Sequence, residues 1–274
     1  MTSVKKYIES LLITKNLFFY LGLFLFTIIT QNIYLDIETI EWDIASYLVA
    51  SQGIENGLLP NQTQWESKGP IFIYLYYLLS IPAENTLVIF KLINDLILFL
   101  ISLILFKTIL SKTKEYTHAF FSSILFLSVM SQVWAQSGYS EVYSLLFLSI
   151  SYFIITNYRF NNLSYLLTGI LFSISSLINQ GTVIFLLPLI ISELTLNSRR
   201  TYFRKVLNLG IGFTIPHLFF LLLYLINGLL DIYLATYLTI PLGYVQANYA
   251  SFYELFVFSR ELMEYNLYLY LCLL

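Results

Sequence analysis

The sequence predicts an all-α fold, a bundle of transmembrane helices that crosses the membrane several times. Of the 274 residues, 58% are hydrophobic and only 11% are charged, whereas soluble domains carry about 25% charged residues. Apolar runs long enough to cross a hydrocarbon core of about 30 Å recur along the chain. These runs are continuous, with little Gly or Pro, rather than alternating in polarity, which argues against the strands of a transmembrane β-barrel.

We expect each apolar run to form a helix. The first has no small-residue cleavage site after it, so we interpret it as a retained helix rather than a signal peptide. The second lies between Pro70 and Pro82 and would be only about 17 Å long as a helix, too short to cross alone. In chain order the runs cover residues 17–35, 71–81, 86–110, 117–134, 141–157, 163–178, 181–196, 206–230 and 252–274.

Basic residues predict the orientation, because positively charged loops stay on the cytoplasmic side. The N-terminus carries Lys5 and Lys6 and is therefore expected inside. If run 71–81 joins the next run in a single crossing, the later basic residues Lys112, Lys114, Arg159 and 199–205 also fall inside. The polar stretches 36–69, 136–141 and 179–180 then share the external face, and the segment 231–251, which is rich in Tyr and lacks basic residues, joins them there.

We expect one membrane domain, residues 1–274, without a separate soluble domain; its first external loop is 36–69. No dense Lys/Arg cluster is present, so nucleic acid is not an expected partner, whereas membrane lipids are. The sequence ends in apolar residues without flanking polar anchors, so we expect a chain that is shortened at its C-terminus.

The first external loop contains a predicted surface helix. Residues 42–52 are good helix formers, and Asp43, Tyr47 and Ala50 fall on one face at i, i+4 and i+7. We expect this helix to be amphipathic and to lie at the membrane interface. Farther along, Lys68 precedes Gly69 and Pro70 and returns a cation to the start of the next helix.

These residues form a pattern: Asp43-x3-Tyr47-x2-Ala50, then Gly57-Leu-Leu-Pro60, then Trp65-x2-Lys68-Gly-Pro70. The pattern resembles the first external loop of the GT-C membrane glycosyltransferases, in particular the dolichyl-phosphate-mannose protein mannosyltransferase and aminoarabinose transferase-like group. The likeness is strongest over residues 43–77 and continues, weaker but collinear, through Lys91 and Glu141 to about Pro188.

The resemblance implies an inverting transfer of a sugar from a polyprenyl-phosphate donor to a hydroxyl of a lipid, protein or glycan acceptor. It also implies that Asp43 stands at the position of the catalytic acidic residue, and Lys68 at that of the motif lysine. Many relatives have Asp-Glu-x-Arg-Tyr where this chain has Asp43-Ile-Ala-Ser46-Tyr47. The adjacent Glu and a phosphate-pairing Arg are therefore missing, which leaves Lys68, Lys91 and Arg260 as cationic candidates.

The chemistry is coherent without the family. Glycosyl transfer needs a base for the acceptor proton and a cation for the departing phosphate. We take Asp43 as the catalytic base and Lys68, Tyr47, Glu141 and Lys91 as substrate-binding candidates.

Each candidate also has an ordinary structural explanation. Asp43 would be a solvated surface charge, and Lys68 a side chain that anchors a helix entrance. Glu141 would be an acid favoured at a helix N-terminus, and Lys91 would pair with Asp95 at i, i+4. For His217 we expect a hydrogen-bonded interior histidine rather than a metal ligand.

No cofactor is required by this chemistry. The crowded carboxylates of Asp36, Glu38, Glu41 and Asp43 would suit Mg²⁺ or Mn²⁺, although a solvated acidic run is the preferred explanation. Two other functions stay open. One is a transporter or flippase of a lipid-linked glycan, for which the sequence lacks the symmetric halves or paired broken helices typical of transporters. The other is a non-catalytic remnant, which the missing Arg and the apolar end of the chain favour.

Overall fold

The computed structural model describes residues 2–31, 42–62, 66–83, 87–131, 138–158, 162–196 and 199–247. Every regular element in these ranges is helical, and they contain no strand. The predicted all-α class is therefore confirmed. Asp36, Glu38, Glu41, Trp65, Arg159, Arg260 and the last predicted run, 252–274, lie outside the described residues.

A helix lies in each predicted apolar run up to 206–230, although the helices in runs 17–35 and 206–230 begin well before those runs, and the helix at residues 42–52 has the predicted bounds. Short 3₁₀ turns occupy Gly53–Asn56, Ile81–Ala83 and Gln180–Phe185, and a π-helical turn occupies Ala235–Thr239. The α-helices are α1 (Thr2–Gln31), α2 (Trp42–Gln52), α3 (Pro70–Ser80), α4 (Leu87–Thr113), α5 (Tyr116–Val129), α6 (Ser140–Asn157), α7 (Asn162–Ile178), α8 (Leu186–Leu196), α9 (Arg199–Ile226), α10 (Leu230–Leu234) and α11 (Ile240–Ala247).

Within the described part of the chain, two helices are long and apolar enough to cross a membrane: Val88–Thr113 in α4 and Tyr202–Ile226 in α9. Only 33% and 22% of their most apolar windows are buried against the rest of the chain. Large apolar surfaces of this kind are stable in lipid or against a partner rather than in water. The two helices therefore indicate association with a membrane.

Contacts between helix ends reveal which ends lie together. The side-chain amide of Gln31 at the end of α1 donates to the carbonyl of Met130, just after α5, at 3.1 Å. At the opposite end, Nζ of Lys112 in α4 donates to the carbonyl of Thr156 in α6, also at 3.1 Å. We call the first end the loop end, because α2 and α3 lie there, and the second the basic end.

Helix α3 stays at the loop end. Pro70 occupies its first turn, where the fixed φ of proline suits a helix start. Phe72 and Tyr76 are fully buried, and the Tyr76 ring packs against Phe90 of α4 at 5.4 Å. A 3₁₀ turn separates α3 from α4. The predicted runs 71–81 and 86–110 therefore form two helices: the short α3 at the loop end and the long α4 that follows it.

Helices α7 and α9 run parallel and touch through their backbones. A Cβ atom on Gly169 would lie 2.1 Å from the carbonyl oxygen of Leu209, and one on Gly212 would lie 2.1 Å from that of Leu166. Small residues that allow such approach are characteristic of helix contacts in membranes. Only glycine fits at either position.

The segment after α9 differs from expectation. We predicted that 231–251 lies with the external polar stretches, whereas residues 230–247 form helices that turn back along α9. The ring of Tyr233 packs on Tyr224 at 5.1 Å, and that of Tyr237 packs on His217 at 5.6 Å. The tyrosine rings of this segment present flat apolar faces to the helix.

Candidate functional site

The loop that carries Lys68, residues 66–69, is fixed against the C-terminal end of α7. The backbone N–H of Gly69 donates to the carbonyl of Ile178 at 3.2 Å, and the side-chain amide of Gln180 donates to the carbonyl of Ser67 at 2.9 Å. A Cβ atom on Gly69 would lie 2.0 Å from the carbonyl oxygen of Leu177, so only glycine fits there. The backbone is thus held on both sides of the lysine.

Lys68 forms an ion pair with Glu141. Its Nζ lies 3.4 Å from Oε1 of Glu141, and the two side chains are 21% and 59% exposed. Glu141 lies in the first turn of α6, where the helix dipole favours a negative charge. The same carboxylate accepts hydrogen bonds from Nδ2 of Asn179 at 2.7 Å and from the Ser140 hydroxyl at 3.1 Å. We call Lys68, Ser140, Glu141 and Asn179 the ion-pair cluster.

Asp43 lies beside this cluster at the exposed N-terminus of α2. Its neighbour Ile44 packs so close to Gly138 that a Cβ atom there would lie 2.9 Å from the isoleucine side chain. The hydroxyl of Tyr76 lies within electrostatic reach of both Asp43 and Glu141. Both carboxylates therefore lie close enough to Tyr76 for their charges to act on it.

Glu66 links α2 to the loop and was not identified from the sequence. The Ser46 hydroxyl lies 2.8 Å from the Asp43 carbonyl oxygen and 3.2 Å from Oε2 of Glu66. The other carboxylate oxygen, Oε1, accepts from the backbone N–H of Ser67 at 2.8 Å. Glu66 thus connects the helix of Asp43 to the backbone next to Lys68.

Buried aromatic rings form a floor beneath the site. Tyr47 meets Phe72 edge to face at 4.7 Å and Tyr76 at 5.4 Å, and Tyr76 lies 5.8 Å from Tyr143. The Tyr76 hydroxyl donates to the carbonyl of Gly138, and the Tyr143 hydroxyl donates to Oδ1 of Asn94. Tyr47, predicted to bind substrate, is only 3% exposed. Its ring contributes to the floor, and contact with a substrate stays a prediction.

Lys91 lies on α4 at the border of this floor. The adjacent Phe90 packs on Tyr76, and Asn94, one turn farther, bonds to Tyr143. Lys91 is half-buried, and Asp95, its expected partner, is 3% exposed. A role of Lys91 toward substrate stays a prediction.

The carboxylates around Asp43 are the residues considered for a metal ion. In the ranges that the structure describes, no three His, Cys, Asp or Glu side chains lie close enough together to hold a metal ion. Three of the four carboxylates considered for Mg²⁺ or Mn²⁺ lie outside those ranges. His217 agrees with the interior histidine we expected, because its Nε2 lies 2.9 Å from the Ser176 hydroxyl.

The arrangement unites a carboxylate, a cation and polar donors at one end of the bundle. Sequence reasoning assigned Asn179 and Gln180 to the same face as the first loop but gave them no role. Ser140 and Glu66 had no signal beyond their position next to other polar residues.

Comparison of the chain with models of known protein families, with curated proteins and with solved structures finds no match.

Proposed function

We propose that this chain is a multi-pass membrane glycosyltransferase of the GT-C type. It moves a sugar from a polyprenyl-phosphate donor to an acceptor hydroxyl on a lipid, protein or glycan. One observation supports the proposal: the residues of the resemblance meet at the loop end, where Lys68 pairs with Glu141 and the helix of Asp43 packs through Ile44 on Gly138, the residue that accepts from the Tyr76 hydroxyl.

The proposed topology puts this site at the external headgroup level. The basic end carries Lys112 and Lys205, which the positive-inside rule assigns to the cytoplasm together with the N-terminus. Exposed apolar side chains cover the outer faces of α1 and α9, for example Phe18 at 71% and Phe203 at 68%. Lipid around these helices would leave α2 at the interface, where the phosphate of a polyprenyl donor lies.

In the proposed reaction, the acceptor oxygen attacks the anomeric carbon from the side opposite the phosphate. The acceptor proton passes to the carboxylate of Asp43 as the new C–O bond forms. The bond between the anomeric carbon and the phosphate oxygen breaks, and polyprenyl phosphate leaves with the electron pair. Lys68 stabilises the charge that develops on that leaving group.

The test is transfer of a labelled sugar from a polyprenyl-phosphate donor in vesicles reconstituted with the full chain. Asp43→Asn removes the base but keeps the shape, and we expect the rate to fall about 10²- to 10⁴-fold. Glu55→Gln is the matched control, because Glu55 is an exposed acid in the 3₁₀ turn after α2. Undiminished transfer by Asp43→Asn would remove Asp43 from its role.

A transporter of a lipid-linked glycan is the second candidate, and one observation favours it. Pro216 lies inside α9, which stays helical around it, and the adjacent His217 packs on Tyr237 in the π-helical turn. A proline and a π-helical turn that face each other are irregularities of the kind from which the discontinuous helices of transporter binding sites are built. Movement of intact lipid-linked glycan across the same vesicles, without sugar transfer, would favour this function. If the folded protein shows no movement of the glycan and no sugar transfer, the non-catalytic remnant is favoured.

A further inference from the structure

We propose that Glu141 is an internal counterion that holds Lys68 until the phosphate of a polyprenyl-phosphate ligand takes its place. This rests on the proposed function for the identity of the ligand. It assigns Glu141 a role opposite to substrate binding: the carboxylate competes with the ligand for the lysine.

The fixed backbone around Lys68 confines any exchange to the side chain. Gly69 is hydrogen-bonded to Ile178 at the end of α7 at 3.2 Å, and Ser67 to Gln180 in the following 3₁₀ turn at 2.9 Å. Lysine has a flexible four-carbon stem with a compact charge at its tip. The ammonium group can therefore turn from one anion to another while the loop stays in place.

The pair is weak enough to exchange. Its Nζ···Oε1 distance of 3.4 Å is longer than the 2.7–2.9 Å of a strong charge-assisted bond. Glu141 is 59% exposed, so water screens the attraction. An exposed ion pair of this kind changes the equilibrium constant of a competing binding reaction by at most about fivefold. A phosphate carries more acceptor oxygens and at least as much charge, so it is the stronger partner.

Glu141 keeps its other partners when the lysine leaves. Asn179 and Ser140 still donate to its two oxygens, and the N-terminus of α6 still favours its charge. No buried charge is left unpaired, which is the usual cost of breaking an ion pair. The exchange therefore needs no rearrangement of the helices.

The experiment measures binding of citronellyl phosphate, a short polyprenyl phosphate without sugar, to the full chain in detergent. Glu141→Gln should bind it about two- to fivefold more tightly, because the lysine no longer has a competing anion. Lys68→Ala should bind it at least about tenfold more weakly. In the Lys68→Ala background, Glu141→Gln should change the affinity by less than about 1.5-fold, because there is no lysine left for the carboxylate to hold.

Three comparisons complete the design. Glu141→Ala removes the same charge from an exposed side chain and should act in the same direction. Glu55→Gln removes a charge elsewhere on the loop side and should leave the affinity unchanged. Inorganic phosphate at equal concentration should compete poorly, since it lacks the prenyl chain; equal competition would overturn the lipid ligand.

Weaker binding by Glu141→Gln would overturn the counterion role and make Glu141 a ligand contact. Equal tightening with and without Lys68 would also overturn it, in favour of simple repulsion between the carboxylate and the phosphate. The probe carries no sugar, so the outcome is separate from the proposed activity. If the affinities change as expected but the protein transfers no sugar, the counterion role of Glu141 stands and the proposed glycosyltransferase activity is rejected.

Discussion

The loop end and the contact between α7 and α9 are built in opposite ways, although α7 belongs to both. At the loop end, side chains from four parts of the chain meet through polar groups such as the Lys68–Glu141 pair. In the α7–α9 contact, the backbones touch at Gly169 and Gly212. Polar side-chain contacts can break and form again, whereas a backbone contact allows no adjustment. The difference suggests a rigid frame that holds an exchangeable site.

The strongest test of the frame is Gly212→Val. Its side chain would meet the carbonyl oxygen of Leu166, and overpacking of this kind costs about 3 kcal/mol or more of the free energy of unfolding. We expect the variant to melt far below the parent in detergent or to fail to accumulate. Gly210→Val is the control on the same helix, because a Cβ atom there has nothing within 4 Å. Equal melting of the two variants would contradict the backbone contact.

Gly69→Ala tests the point where frame and site join. Its methyl group would meet the carbonyl oxygen of Leu177 and push the Lys68 loop away from α7. We expect a loss of about 1–3 kcal/mol of stability and at least about tenfold weaker donor binding. Gly57→Ala is the control: φ there is +74° with open space around it, so an alanine is strained by about 1 kcal/mol without moving the loop. Both variants should lower the melting temperature, but only Gly69→Ala should lower donor affinity.

Gln180→Ala removes the bond between the 3₁₀ turn after α7 and the Lys68 loop, while the backbone contact of Gly69 with α7 stays. Loss of the bond to Ser67 should cost about 0.5–1.5 kcal/mol of stability. Donor binding should weaken by less than it does in Gly69→Ala. Binding titrations and melting curves on the two variants together check this order, and a larger loss of affinity in Gln180→Ala would reverse our account of how the loop is held.

The smallest expected effect on stability is that of Lys68→Gln. The pair it breaks is partly exposed, so the free energy of unfolding should change by less than about 1 kcal/mol. Sugar transfer should nevertheless be lost in the vesicle assay. A large drop in melting temperature would mean that the pair holds the fold rather than serves the site.

Much of the frame could be predicted from the sequence. The apolar runs identified the helices, and α2 has the predicted bounds because its composition and the following Gly53 define a helix and its end. The turn back after α9 was missed, since the Tyr-rich sequence gave no sign that its rings would pack on Tyr224 and His217. Helix direction in that segment depends on tertiary contacts that no local pattern contains.

The site could be predicted only as separate pieces. Asp43 and Lys68 came from a motif, and Glu141 from its position after a turn, but their common neighbour Tyr76 looked like one apolar ring among many. Asn179 reaches Glu141 across 38 residues of sequence, and no spacing rule predicts such a contact. The close approach of Gly69 to α7 was equally invisible, because a glycine before proline usually marks only a turn.

Helix α7 also fixes the distance between the two ends of the molecule. It has 17 residues, about 26 Å of helix. Lys205 packs over Tyr165 near its start, and the Lys68 loop is bonded to its end. In the proposed topology, a bilayer core of about 30 Å is slightly thicker than this span, which would place the Lys68 loop close to the boundary between hydrocarbon and headgroups. The same topology makes the depth of the Lys68 loop depend on the acyl-chain length of the surrounding lipid, which would tie ligand access at the ion-pair cluster to membrane thickness.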